Sequence, residues 1–361
     1  MNLHFWKNKR VFITGHTGFK GSWMSLWLHD MGAEVRGFAL EPNTKPSLFN
    51  IASINKKVDS IIGDINDMSH LTSSLVEFNP EIVIHMAAQP LVRASYLDPV
   101  ETYRTNVMGT VNLLEAVRKC PSVKAVVNVT TDKCYENKEW VWGYREDEPM
   151  GGFDPYSSSK GCSELVTSAY RRSFFQNGSK LGLATARAGN VIGGGDWAED
   201  RLIPDAIRAF EANIPLIIRN PAATRPWQHV LEPISGYLTL AEKLYYYKEL
   251  VSGAWNFGPS DDDVVPVEQV LNFIVQKWDK KVSWLLDENE QPHEAQLLKL
   301  DISKAIVNLK WKPVWPLERT LTSIIDWYKA YYSAEDMEQV TTQQIKEYEK
   351  CIRGIYEQTN N

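Results

Sequence analysis

Val11-Phe12-Ile13-Thr14-Gly15-His16-Thr17-Gly18-Phe19-Lys20-Gly21 is the stretch whose reading decides the fold. Four residues of a short buried strand run straight into a turn with glycine at every third position. Ser22 to Met31 continue with helical character and stop at Gly32, and Glu34 to Leu40 form a second strand. Strand, glycine-rich turn, helix and strand make the unit that seats a dinucleotide pyrophosphate on helix N-terminal amides. Glycine serves there because a Cβ would hold the backbone away from the phosphates. The spacing is G-x-x-G-x-x-G, looser than G-x-G-x-x-G, so the strand-turn-helix context carries the reading.

Outward from this unit the pattern recurs. Val58 to Ile62 reads as a strand ending in Gly63-Asp64, where a carboxylate can meet the adenine end of a cofactor. Met68 to Phe78 reads as a helix, and Ile82 to His85 as a strand running into Met86-Ala87-Ala88-Gln89, small residues that let a cofactor lie against the backbone. Pro99 to Lys119 is a long helix with Thr105 and Asn106 inside it. Val126 to Val129 is an apolar strand that breaks into Thr130-Thr131-Asp132-Lys133; Tyr156 to Gln176 is the second long helix and Leu181 to Ala186 the next strand. Strands alternating with helices predict an α/β fold, a Rossmann-type doubly wound parallel sheet covered on both faces.

Composition shifts after Arg187. Gly193-Gly194-Gly195-Asp196-Trp197 reads either as a mobile loop or as a lid or substrate loop, and Arg201, Arg219 and Arg225 follow among Pro, Asn and Trp. Guanidinium groups suit bidentate capture of a diphosphate. A helix runs to Tyr247, Trp255 to Gly258 is a last short strand, and the tail is helix-rich, with Leu317 to Tyr332 following the kinked Trp311 to Pro316. From Glu335 a polar terminal helix is expected, free to fray. The predicted division is residues 1–187, with returning segments near 226–258, as the dinucleotide-binding domain. Residues 188–225 and 259–361 form the smaller, mostly helical substrate part.

With 361 residues, 43% hydrophobic and 23% charged, the chain has ample material for a core. A net charge of −6 argues against a nucleic-acid partner, which calls for a basic surface. No apolar run approaches membrane-span or signal-peptide length. The four cysteines show no C-x-x-C pair and no metal-ligand spacing, so a reduced, cytoplasmic protein without a metal centre is expected.

Tyr156-Ser157-Ser158-Ser159-Lys160 places a phenol and an ammonium on one helix face. The ammonium is expected to favour the phenolate and lower the tyrosine pKa. Thr131 and Asp132 sit at a strand's carboxyl end, where an open α/β sheet places its reactive groups. Hydroxyl, carboxyl, ammonium and phenol then converge on one small molecule. Y-x-x-x-K alone arises often by chance; the glycine turn at the amino end is the independent signal that gives it weight.

Thr14 to Gly21, His85 to Gln89, Thr131-Asp132-Lys133 and Tyr156 to Lys160, extended by Asn190, by Arg201-Leu202-Ile203-Pro204 and by Arg225-Pro226-Trp227, stand in family order. Over nearly its whole length the chain resembles the extended short-chain dehydrogenase/reductases, and within them the nucleotide-sugar 4,6-dehydratases. The resemblance implies NAD as cofactor, oxidation at C4 of a hexose, loss of water across C5 and C6, and re-reduction at C6. Tyr156 is then the base for the C4 hydroxyl, Lys160 holds the nicotinamide ribose, Thr131 bonds the same hydroxyl, and Asp132 is the acid for the departing C6 hydroxyl. It implies cofactor contacts from Gly15, Thr17, Gly18, Phe19, Gly21, Leu40, Asp64, Ile65, Ala87, Ala88, Gln89, Thr105 and Thr130, with Tyr156 and Lys160. Asn190, Arg201, Leu202, Arg219, Arg225, Asn256 and His293 are carried over to the substrate.

Two departures are informative. The commoner members carry glutamate where this chain has Lys133, which is either the C5 base, a stabiliser of the enolate, or an ion-pair partner of Asp132. The Asp-Lys pair, His16, Gly37 to Leu48 and Gly193 to Pro204 resemble the group that acts on CDP-D-glucose, a feeder of 3,6-dideoxyhexose and O-antigen synthesis. Second, the second strand ends in Phe38-Ala39-Leu40-Glu41 with no arginine pair for a 2′-phosphate, which favours NAD over NADP. Arg36 is expected to point elsewhere by strand alternation. Alternatives are a dehydratase of GDP-mannose or dTDP-glucose, a 4-epimerase, which needs no acid, and a non-catalytic cofactor-binding regulator, expected to have lost Tyr156 or Lys160. The two long helices resemble those of an intersubunit four-helix bundle, implying a homodimer or a tetramer built from it.

Overall fold

Val11, Ile13, Ile82, Ile84, Val127 and Ala184 pack on one side of a sheet, and Phe12, Val83, Val126 and Leu183 on the other. That alternation of two apolar faces is what parallel strands covered by helices require. In the computed structural model, which describes residues 1–176, 178–278, 282–287 and 297–359, these side chains belong to a seven-stranded parallel sheet. Six strands are β1 (Arg10–Thr14), β2 (Glu34–Ala39), β3 (Asp59–Ile62), β4 (Ile82–His85), β5 (Ala125–Val129) and β6 (Gly182–Arg187); the seventh, Gly253–Asn256, returns late in the chain. The order is Gly253–Asn256, β6, β5, β4, β1, β2, β3. The chain runs outward from β1 to β3, then resumes on the other side of β1 with β4. The switch point therefore lies between β1 and β4, where such sheets bind ligands.

Helices Phe19–Asp30 and Leu231–Tyr247 cover one face, with Leu317–Tyr332 in the same core beyond them; Met68–Phe78, Gly109–Arg118 and Pro155–Phe174 cover the other. Asp154 caps the last of these, accepting from Ser157 N at 2.9 Å, with Pro155 at the first helical position. Tyr156 is thereby set in the first turn, at the carboxyl edge of the sheet. The long helix expected over 99–119 is a continuous helical path with one wide turn: Pro99–Tyr103, a π-helical segment Arg104–Met108, then Gly109–Arg118.

Two expectations are corrected. The glycine run is neither mobile nor a lid: residues 192–198 are buried, and a Cβ on Gly194 would stand 2.2 Å from the Trp327 ring. The terminal helix Met337–Thr359 is docked, because Ile345, Tyr348 and Ile352 fall on one face and are buried. Beyond β6, short strands pair as Val191–Ile192 with Gln228–His229, Leu216–Ile218 with Trp284–Leu286, and Thr224–Pro226 with Val264–Pro266. Among the described residues no helix is long and apolar enough to cross a membrane.

Candidate active site

The glycine turn is held by contacts that leave no room for side chains. Gly15 has φ +78°, and a Cβ on it would stand 2.7 Å from Ala87 N; one on Gly21 would stand 2.1 Å from the Gly15 carbonyl oxygen. At Gly18, by contrast, the nearest protein atom to a Cβ is 3.5 Å away. The turn thus leaves an accessible side beside the N-terminus of helix Phe19–Asp30, which fits a dinucleotide pyrophosphate. Thr17 Oγ1 donates to the carbonyl of the exposed Leu40 at 2.8 Å, joining the turn to the end of β2. His16 packs over Gly37, its Nε2 is 2.7 Å from Ser60 Oγ, and burial lowers its pKa to about 4. Arg36 turns away to Asp59 and the Ser74 carbonyl. Asp64 Oδ1 accepts from Asn66 N at 2.8 Å, and Ile65 is buried against Gly109.

At the end of β1, Thr14 Oγ1 is 2.6 Å from His85 Nδ1 and accepts from Met86 N and Ala87 N, fixing the Met86–Gln89 segment to the switch point. Ala88 follows there. Asn106, presented by the π-helical segment, accepts from Gln89 N at 2.8 Å and donates to Ser159 Oγ at 2.8 Å. It joins the two long helices to the β4 loop in one buried contact. Thr105 Oγ1 donates to Glu101 at 2.8 Å and accepts from Asn66 Nδ2 at 3.5 Å.

Helix Pro155–Phe174 is seated on β5 by polar groups. Asn128 donates to Ser163 at 3.0 Å and to Thr167 at 2.8 Å. Thr130, expected at the cofactor, donates its hydroxyl to Glu164 at 2.5 Å instead. Glu164 also accepts from Thr185 at 2.7 Å and from Arg187 at 2.8 Å, a buried ion pair. Unpaired, either charge would be costly at this depth. Arg187 further donates to Tyr135 Oη at 2.7 Å, which donates to Asn256 Oδ1 at 2.8 Å. The Asn256 amide in turn donates to the carbonyls of Tyr144 and Asp301. Asn256 is therefore a structural residue, and its assignment to the substrate is corrected: both ends of its amide are engaged within the protein.

At the carboxyl end of β5, Thr131, Asp132, Tyr156 and Lys160 come together. Asp132 is buried; its Oδ1 accepts from Thr131 Oγ1 at 3.0 Å and its Oδ2 from Asn190 Nδ2 at 3.5 Å. Burial pushes the Tyr156 phenol up to about 12; the Thr131 hydroxyl and the Arg201 charge act to lower it, while Asp132 and Asp154 raise it. The expected effect of Lys160 on the phenol is corrected. Its ammonium donates to the Val129 carbonyl at 3.1 Å, and burial lowers its pKa to about 8. Helical spacing put the two side chains on one face, but the strand's carbonyl captured the ammonium. Among the described residues Lys133 makes no ion pair, so the pairing with Asp132 is absent.

On the far side, Arg201 donates to Asp196 at 2.7 Å, and Leu202 opens helix Leu202–Glu211. Arg219 lies 3.9 Å from Asp200. Arg225 is buried, with Nη1 donating to the Thr224 carbonyl at 3.0 Å. His293 lies outside the described residues. Two groups not assigned from the sequence join the cluster. Lys20 is lowered to about 8 by burial and by the nearby Arg201 and Lys160 charges, with Asp132 and Asp196 opposing. Asp196 carries Arg201. Lys20 had a signal, a lysine inside the phosphate turn; Asp196 had little beyond its place after three glycines. Lys20, Lys160 and Arg201 gather basic groups at this edge of a protein of net charge −6, which suits an anionic substrate.

Comparison with known proteins places the chain in a family. The family model described as GDP-mannose 4,6 dehydratase matches residues 12–324. A CDP-glucose 4,6-dehydratase of Salmonella typhimurium is 59% identical over 354 residues, covering 96% of this chain and 98% of that protein. A dTDP-glucose 4,6-dehydratase of Xanthomonas campestris is 26% identical over 335 residues, covering 88% and 92%. Among solved structures, a UDP-glucose 4-epimerase of Thermotoga maritima with UDP-glucose superposes with a TM-score of 0.78 at 22% identity, over 90% of this chain and 99% of that one. A dTDP-glucose 4,6-dehydratase of Bacillus anthracis in complex with NAD gives 0.73 at 21% identity, over 91% and 99%. A seven-stranded parallel sheet, a glycine turn at its switch point and a match over most of the chain lead to one conclusion: this protein belongs to the GDP-mannose 4,6 dehydratase family of nucleotide-sugar enzymes.

Proposed function

We propose that the protein is an NAD-dependent CDP-D-glucose 4,6-dehydratase, yielding CDP-4-dehydro-6-deoxy-D-glucose. The observation that carries the reading is the convergence of Asp132 and Tyr156 at the end of β5, with Lys133 beside them where the commoner relatives place glutamate. Likeness to the Salmonella typhimurium enzyme supports the choice of cytosine nucleotide. NAD, when bound, takes up a hydride from C4 and later returns one to C6.

The chain's own residues move the protons. Lys160 leaves the Val129 carbonyl to hold the nicotinamide ribose, where its ammonium stands close enough to favour the Tyr156 phenolate. That phenolate, hydrogen-bonded by Thr131, accepts the C4 hydroxyl proton. Once C4 is a ketone, the C5 proton is acidic enough for Lys133 to remove. Asp132 then protonates the departing C6 hydroxyl, which leaves as water, and a proton from solvent, delivered through Lys133, returns to C5 when C6 takes the hydride. The Gly15–Gly21 turn, with Ala87 and Ala88, seats the pyrophosphate of the cofactor, while Arg201, Arg219 and Arg225 face the substrate diphosphate.

The division into residues 1–187 with 226–258 and the remainder, set out above, is proposed on the same ground. The exposed Tyr103, Met108, Leu165 and Phe174 on the two long helices supply an apolar face for a homodimer. The cytoplasm is the compartment proposed for it.

The test is a panel of CDP-glucose, dTDP-glucose, GDP-mannose and UDP-glucose supplied with NAD, each followed by alkali to develop a 4-keto-6-deoxy chromophore. The chromophore is expected from CDP-glucose. Turnover of another sugar nucleotide alone would reassign the base, and turnover of none would end the reading.

A further inference from the structure

Asp196 ends the glycine run five residues before Arg201 and is 4% exposed. Its Oδ2 accepts from Arg201 Nη1 at 2.7 Å, and its Oδ1 accepts from Ala198 N at 3.1 Å. Its own carbonyl accepts from Tyr328 Oη at 2.5 Å. Two residues earlier the Gly194 carbonyl accepts from Trp23 Nε1 at 2.9 Å, and the Trp327 ring occupies the space a side chain on Gly194 would need. Helices Phe19–Asp30 and Leu317–Tyr332 therefore grip the segment together.

A free arginine loses rotamer freedom whenever it binds, whereas one held by a fixed carboxylate has already lost it. The Arg201 side chain is 32% exposed and interacts electrostatically with Tyr156. Among the described residues, Asp196 is its one hydrogen-bond partner. We propose that Asp196 is a positioning residue, braced by Trp327 and Tyr328 of the C-terminal region, that presents Arg201 to the substrate diphosphate beside Tyr156. This rests on the assignment of Arg201 to the diphosphate under Proposed function.

The experiment is a double-mutant cycle on the full chain with NAD and CDP-glucose, using Asp196→Asn, Arg201→Met and both together. Asp196→Asn is expected to raise KM about tenfold, with the larger share of the loss in KM rather than in the kcat plateau. The double variant should then be no worse than Arg201→Met alone. The pH profile reads the same geometry. Tyr156 is faced by Thr131 and Asp132 from the end of β5, by Asp154 from its own helix cap, by Arg201 from this segment and by Tyr237 from helix Leu231–Tyr247, with Lys20 and Lys160 in the same cluster. If Arg201 swings away, the acid limb of kcat moves to higher pH, as expected. A limb moved to lower pH means that Arg201 stays in place without its carboxylate, and it overturns the proposal, as do additive effects on KM. Tyr328→Phe loosens the brace, leaves the carboxylate intact and should raise KM in the same direction, which keeps the test valid where Asp196→Asn folds poorly. If Arg201→Met weakens binding while Asp196→Asn and Tyr328→Phe do not, the positioning role alone falls. If Arg201→Met keeps the wild-type KM, the diphosphate assignment falls and takes this proposal with it.

Discussion

Gly189 lies against Asp132: a Cβ built on Gly189 would stand 1.7 Å from Asp132 Oδ2. The carboxylate occupies the space that a side chain after β6 would need, so the end of one strand sets the position of the acid on the next. Gly189→Ala should displace Asp132 without removing it. The expected result is a fall in kcat of about 100-fold or more, with absorbance of reduced cofactor building up during turnover as elimination stalls. Asp132→Asn should show the same build-up. Wild-type rates for Asp132→Asn would remove this residue from proton transfer.

Lys133, proposed above as the base at C5, has no ion-pair partner among the described residues. Lys133→Met is expected to cut solvent-deuterium uptake at C5 by about 100-fold or more, while oxidation at C4 still proceeds. Uptake at the wild-type rate would return the base role to another residue.

Glu232 is buried, accepting from Val314 N, Trp315 N and Tyr348 Oη, and burial pushes its pKa up to about 7. Between an unfolded value near 4.5 and this one the native state holds the extra proton, so stability from this group falls as pH rises through that window. Glu232→Gln keeps an acceptor for the two amides and removes the slope. Wild type should lose up to about 3 kcal/mol relative to the variant between pH 5 and pH 8, read by denaturant unfolding. Parallel stability curves would show that Glu232 stays ionised.

Glu164 lies within the fold. Burial opposes its ionised form, but the Arg187 charge and hydrogen bonds from Arg187, Thr130 and Thr185 hold its pKa below the usual carboxylate range. Glu164→Gln strands a buried guanidinium and should cost about 3–5 kcal/mol in chemical denaturation. A loss below about 1 kcal/mol would mean that water reaches Arg187 in the variant.

The strands and helices were legible because burial on both faces of a sheet leaves runs such as Val126 to Val129, and because helices declare their caps, as Asp154-Pro155 does. What stayed hidden were the partners of polar residues. Asn128 reads as a flaw in an apolar strand, yet it seats the helix carrying Tyr156. Asn256 and Thr130 read as ligands of substrate and cofactor, yet both are committed to the protein. The glycine run reads as loose because local sequence cannot show the tryptophan that covers it from more than a hundred residues away.

The sequence by itself determined the sheet and the turn at its switch point and named the candidate reacting groups, since these follow from periodicity and from residue types a few positions apart. Only the tertiary structure decided where the charges stand: Lys160 on the Val129 carbonyl, Arg201 on Asp196, and Asp132 in the space left by Gly189. Electrostatic interaction depends on distance and burial, and contacts between separate strands and loops set both.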